Sequence, residues 1–263
     1  MKNNLLKSLD AWTEVLISDP LTNRIAVRLS KIRGIHPLHI TAVSQFLKLL
    51  GAAFYFSSSD SNMIIPPILF FLGILVDSID GKVARLTGKS MRIHGSLDFI
   101  SDQVSNSIFF FSMLIAFGQE KEYFLWMIVW YVILFINMSL TSTRYRLLSF
   151  LGGVDADSIE ELRGKYDAAL PLMMQRRFLK KLYLAYSLLL EKTSKHRLVP
   201  HPTEVDSELV FFVIFPILVS MGSPLAFPLL LLSVALLIPT ITYSSVLCLA
   251  LTKYWESKRH ADS

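Results

Sequence analysis

Six apolar stretches, near residues 38–57, 63–81, 96–117, 123–147, 206–221 and 225–251, restrict this chain to a narrow set of architectures. With their more polar flanks, each approaches the roughly 17–25 residues that a helix needs to cross a bilayer. In lipid every backbone N–H and C=O must find its partner inside the protein, so repeated spans of this kind imply helices. Composition agrees: 52% of the 263 residues are hydrophobic and 18% charged, with a mean hydropathy of +0.48. The reading is an all-α integral membrane protein with six transmembrane helices, most simply in a bacterial cytoplasmic membrane.

The connections between the stretches orient it. Ser57 to Asn62 and Gly222 to Pro224 carry no Lys or Arg, and Gly118 to Glu122 carries only Lys121. Positive charge collects on the opposite side: Arg24, Arg28, Lys31 and Arg33 before the first span, Lys82, Arg85, Lys89 and Arg92 after the second, Arg144 and Arg146 after the fourth. Short cytoplasmic loops carry the excess of Lys and Arg, so both termini are expected in the cytoplasm. The net charge of +5 then suits anionic lipid headgroups and not nucleic acid. No secretory signal is expected between Met1 and Asn23, and Cys248, the only cysteine, excludes an intrachain disulfide and a Cys-based metal site.

Three regions follow. Residues 1–37 form an amphipathic interfacial segment, 38–255 the six-helix membrane domain with a cytoplasmic insert at about 148–205, and 256–263 a cytoplasmic tail. In the first region Leu5, Leu9, Trp12 and Leu16 recur at helical spacing, as do Ile25, Leu29 and Ile32, with Pro20 between the two sets. This predicts two short amphipathic helices that lie on the inner membrane surface or pack against the bundle. In the insert, Met174, Phe178, Leu182, Ala185 and Leu189 recur beside Arg176, Arg177, Lys180 and Lys181, as expected of a basic interfacial helix. Within the first span, Gln45 and Lys48 are costly against lipid, so they face the bundle interior or a wet cavity, as a structural hydrogen bond or a snorkelling lysine.

Residues 77–102 read DSIDGKVARLTGKSMRIHGSLDFISD, and they place Asp77, Asp80, Asp98 and Asp102 at the ends of apolar segments where carboxylates are expensive. On a helix Asp77, Asp80 and Ala84 share one face by i, i+3, i+7 spacing, and Asp98 and Asp102 share another by i, i+4. Two antiparallel helices joined by a short basic loop therefore aim four carboxylates at one another. Such a group would repel itself and take up protons unless cations neutralised it. Oxygen-only ligands favour Mg²⁺ or Mn²⁺ over Zn²⁺, and two such ions would clamp a diphosphate for in-line displacement. Gly81 permits close backbone approach, and Arg85 offers a forked donor to phosphate.

The pattern Asp77-x2-Asp80-Gly81-x2-Ala84-Arg85 followed by Asp98-x3-Asp102 resembles the signature of the CDP-alcohol phosphatidyltransferases, D-x2-D-G-x2-A-R-x8-G-x3-D-x3-D, at seven positions in register. One position departs from it: His94 stands where the second glycine is expected, with Gly95 beside it. The resemblance implies a six-helix membrane fold, usually a homodimer, that transfers a phosphoalcohol from a CDP-linked donor to an acceptor hydroxyl and releases CMP. It implies that Asp77, Asp80 and Asp98 ligate two metal ions. Asp102 then acts as general base and touches a metal, and Gly81, Ala84 and Arg85 line the CDP site.

Size and span count favour CDP-diacylglycerol as donor, with CDP-choline or CDP-ethanolamine as the alternative. Arg144 and Arg146 are candidates to hold an acceptor phosphate, such as that of glycerol 3-phosphate or an inositol phosphate, or serve as positive-inside anchors. A cation-coupled membrane transporter would also explain intramembrane acids, but it leaves Gly81, Ala84 and Arg85 without a role.

Overall fold

The computed structural model describes residues 5–7, 9–57, 63–89, 92–117, 121–150, 181 and 188–261, and their side chains except at 92–96, 98, 121, 122, 141–150, 246, 247 and 249–261. The regular structure of the described residues is helical, with no strand beyond an isolated bridge between Asp10 and Leu198. In chain order they form α1 (Asp19–Leu29), α2 (Pro37–Ser57), α3 (Ile65–Thr87), α4 (Arg92–Phe117) and α5 (Lys121–Phe150). Then come α6, in three stretches (Glu204–Glu208, a π-helical Leu209–Ile214 and Phe215–Ser220), and α7 (Ala226–Ala261).

Among the described residues, three helices are long and apolar enough to cross a membrane, over Phe99–Phe117, Tyr123–Leu140 and Ala226–Ser245. The remaining apolar stretches of the sequence correspond to α2, α3 and α6. Lys48 interrupts α2, α3 ends among Asp77, Asp80, Lys82 and Arg85, and α6 is short and wound in part as a π-helix. Length and composition thus support three of the six expected spans. Phe46, Ile115, Leu125 and Phe135 are each more than half exposed, as lipid-facing residues are.

The N-terminal segment departs from the expected pair of helices. A π-helical turn, Glu14–Ser18, runs directly into α1, and Pro20 lies within its first turn. The π turn ahead of Pro20, in which the Asp19 N–H bonds Glu14 O, replaces the usual i→i−4 ladder, so the helix passes the ring without a break. One face of α1 packs on α3, where Ala26 is buried with Ile79 and Val83, while Leu21 and Ile25 stay exposed. The packing mode therefore holds for one face of α1. The basic helix expected in the insert lies largely outside the described residues.

The chain divides into two compact units. One comprises Met1–Leu6, Thr13–Tyr131 and Val205–Val234, and the other Lys7–Trp12, Val132–Glu204 and Ala235–Ser263. In the first, α2 packs against α3 and α4. Gly51 permits the approach: a Cβ there would meet the Phe109 ring at 2.9 Å and Pro66 O at 3.0 Å. Below the charged residues lies an aromatic core, with Trp130 stacked on Phe211 at 3.6 Å and Phe70 against Phe109 and Phe212 at 4.5 Å. The indole N–H of Trp130 donates to Ser207 Oγ, whose hydroxyl donates to Ser233 O, each at 2.8 Å, so these buried polar groups are paired. In the second unit, Trp12 Nε1 donates to Val199 O at 2.9 Å and Thr240 Oγ1 to Pro202 O at 2.7 Å.

Candidate active site

Three helix faces carry the site, each set by helical periodicity. On α3, Phe70, Gly73, Asp77, Asp80 and Ala84 follow one another at three- and four-residue steps. The facing side of α2 offers Thr41, Ser44, Gln45 and Lys48, again at helical spacing. On α4, Asp102 is followed by Ser105, Asn106 and Phe109.

Each described acid of the signature meets a donor from α2. Asp80, 4% exposed, accepts the Thr41 hydroxyl at 2.5 Å. The Ser44 hydroxyl lies 3.0 Å from Gly73 O and 3.3 Å from Asp77 Oδ1, so its one proton favours the carbonyl and is only partly shared with Asp77. Asp102 Oδ1 accepts from both Lys48 Nζ at 2.6 Å and Gln45 Nε2 at 2.7 Å. Gln45 Oε1 in turn accepts the Ser105 hydroxyl, which locks the amide's orientation. Lys48 is 3% exposed, so its ammonium is a buried charge that needs its counter-ion.

Asn106, one turn beyond Asp102, donates to Glu208 at 3.2 Å, which brings a further buried acid from α6 to this face. Glu208, Asn106, Thr41 and Ser44 are functional candidates that the sequence reading passed over. Their signal was present: Thr41 and Ser44 share the helical face of Gln45 and Lys48, and Glu208 opens an apolar stretch.

A second buried charge lies on α3 directly after Gly81. Lys82 Nζ donates to Ser78 Oγ at 2.6 Å and Thr22 Oγ1 at 2.7 Å, with Asp19 Oδ1 at 2.9 Å as an ion pair without hydrogen-bond alignment, and Glu14 at 3.7 Å. Read in the sequence among the cations that set orientation, Lys82 also ties the N-terminal segment to α3. Arg85 donates Nε and Nη2 to Leu5 O, both at 3.2 Å, so here its fork closes on backbone and not on phosphate. Leu5 also borders an open cleft of about 390 Å³ with Asn23, Arg24, Val27, Arg28 and Lys31, and Asp77, Asp80 and Asp102 are not among its described lining residues.

The structure thus places Asp77 and Asp80 on α3 and Asp102 on α4, two helices that both pack on α2, with Gly81, Ala84 and Arg85 further along α3. Asp98 lies on α4 one turn before Asp102, and Arg144 and Arg146 lie in the last turns of α5. The side chains of Asp98, Arg144, Arg146 and His94 are outside the described residues. Among the described residues no group of three or more His, Cys, Asp or Glu side chains is close enough to hold an ion. The donor chemistry nevertheless fits a hard divalent cation, since carboxylate and hydroxyl oxygens face one another and sulfur and imidazole are lacking among the described site residues. At Gly81 a Cβ would meet, among the described residues, only the Arg85 guanidinium, at 3.5 Å, so the backbone there is open to close approach.

A family model described as CDP-alcohol phosphatidyltransferase matches residues 35–191, more than half of the chain and all of the 77–102 pattern. The archaetidylinositol phosphate synthase of Pyrococcus horikoshii is 29% identical over 100 residues, which cover 38% of this chain and 50% of that protein. The match therefore spans about half the length of that relative.

Proposed function

This chain belongs to the CDP-alcohol phosphatidyltransferase family, and from that premise we propose that it transfers the phosphatidyl group of CDP-diacylglycerol to the hydroxyl of a phosphorylated polyol and releases CMP. It is a transferase of lipid synthesis in a multi-pass membrane protein. The observation that carries the finer reading is the convergence of Asp77 and Asp80 from α3 and Asp102 from α4 on the polar face of α2. That the relative is a synthase of archaetidylinositol phosphate supports an inositol phosphate acceptor ahead of glycerol 3-phosphate.

Mg²⁺ or Mn²⁺, as a pair of ions held by Asp77, Asp80 and Asp98, would neutralise the diphosphate and stabilise the leaving oxygen. The residues of the chain do the rest. Gly81, Ala84 and Arg85 seat the CDP moiety, with Arg85 exchanging Leu5 O for phosphate, and Arg144 and Arg146 hold the acceptor phosphate. As the acceptor oxygen bonds to phosphorus, the bond from phosphorus to the CMP oxygen breaks and its electron pair leaves with CMP. The acceptor proton passes to Asp102, the carboxylate that Lys48 holds in place.

The test is CMP release by the purified protein with CDP-diacylglycerol and a panel of inositol phosphate, glycerol 3-phosphate, inositol and serine. Release is expected with the phosphorylated polyols and to be fastest with inositol phosphate. A fastest rate with an unphosphorylated acceptor would overturn the acceptor class, and release only from CDP-choline or CDP-ethanolamine would overturn the donor.

The reading includes a homodimer, six spans, a cytoplasmic insert and a cytoplasmic site, supported by the family and by the placement of Lys and Arg. In a Cys248→Ser background, cysteines at residues 59 and 223 are expected to react from outside the cell and those at 90 and 194 from the cytoplasm. Labelling of residues 59 and 90 from one side would sink that topology.

A further inference from the structure

Lys48 has no role in the phosphoryl transfer described so far, yet the fold builds a slot for it. Its stem crosses Gly73, where a Cβ would come within 2.8 Å of Lys48 Cγ and 3.2 Å of Ser44 O, so a larger residue would displace it. The Phe70 ring lies 5.7 Å from the ammonium, at the outer reach of a cation–π contact. The amine does not turn toward a membrane surface as a snorkelling lysine does. It turns inward to Asp102, at 2.6 Å, with Asp77 and Glu208 also attracting it.

The slot bears on how four acids are shared among cations. A carboxylate oxygen that already accepts an ammonium and an amide proton has little left to give a divalent ion, and the ammonium repels that ion as well. We propose that Lys48 is a built-in counter-cation for Asp102: it replaces metal at that carboxylate, aims it through Oδ1, and so commits Oδ2 to receiving the acceptor proton. Metal binding then falls to Asp77, Asp80 and Asp98. Lys48 is on this account a positioning residue, acting through Asp102. The inference rests on the metal-dependent transfer proposed above.

Mn²⁺ binding to the full-length protein in detergent, followed by the paramagnetic resonance of free Mn²⁺, tests it apart from turnover. Lys48→Met is expected to bind Mn²⁺ at least tenfold more tightly than the parent, because an unpaired carboxylate joins the site. Adding Asp102→Asn to Lys48→Met is expected to return the affinity to the parent value, and Lys48→Arg to leave it there. Single-turnover CMP release is expected to fall in Lys48→Met while donor affinity at saturating Mn²⁺ holds. If Lys48→Met does not accumulate folded, Lys48→Gln, polar but uncharged, makes the same comparison.

Asp80→Asn separates this inference from the reading beneath it. Loss of Mn²⁺ in Asp80→Asn, with coincident curves for the parent and the uncharged variants, refutes the role of Lys48 alone. Mn²⁺ binding that survives Asp80→Asn refutes the metal site, and with it this inference.

Discussion

Asp80→Asn is expected to lower CMP release by more than about a hundredfold while leaving an inserted, folded protein, and Asp98→Asn to do the same. The fold should survive because the amide is nearly isosteric, and its oxygen can still accept the Thr41 hydroxyl that Asp80 accepts at 2.5 Å. What disappears is the negative charge. An amide oxygen is a poor substitute for carboxylate on a divalent ion, and no described carboxylate joins Asp80 within a three-acid group that would compensate. Near-normal rates at saturating Mg²⁺ and Mn²⁺ in either variant would contradict the assignment. Measuring the thermal unfolding of each variant beside its rate keeps a folding defect from passing as a chemical one.

The second large effect separates base from ligand. Asp102→Asn is expected to depress single-turnover CMP release severely, since an amide cannot take the acceptor proton at neutral pH. Binding of the CDP-alcohol as a function of Mg²⁺ should stay close to that of the parent, because Asp77, Asp80 and Asp98 remain. Asp77→Asn should instead weaken both donor affinity and its metal dependence. Asp102→Asn also strands the Lys48 ammonium, and breaking one side of a buried pair costs about 3–5 kcal/mol, here toward the lower end because the Asp102 side chain is 23% exposed. The double variant with Lys48→Met removes that cost, and its turnover should still be lost. Equal losses of metal-dependent donor affinity in Asp102→Asn and Asp77→Asn would make Asp102 mainly a ligand.

Much of the site was legible before any coordinates. The i, i+3 step from Asp77 to Asp80 and the i, i+4 step from Asp98 to Asp102 place each pair on one helix face, and both pairs do fall on helices, α3 and α4. The intramembrane cost of Gln45 and Lys48 correctly turned them inward. The partners of Lys82 were not legible, for a physical reason. A lysine just past an apolar stretch looks like any loop cation, and only the docking of α1 brings Asp19, Thr22 and Glu14 around it from some 60 residues away. Pro20 separates the two periodic sets in the sequence, but the π turn at Glu14–Ser18 lets one continuous helix run past it.

Local periodicity is a property of the backbone, so the sequence by itself determined the helical class, the faces on which the acids lie, and through its seven-position pattern the family. Counter-charge is different. Whether a carboxylate is answered by a metal, a hydroxyl or an ammonium depends on distances of about 3 Å between helices, over which the Coulomb energy and the cost of losing water change steeply. Only the tertiary structure decided that Asp80 meets Thr41, that Asp77 shares the Ser44 proton with Gly73 O, and that Asp102 is held by Lys48 across the slot that Gly73 leaves open.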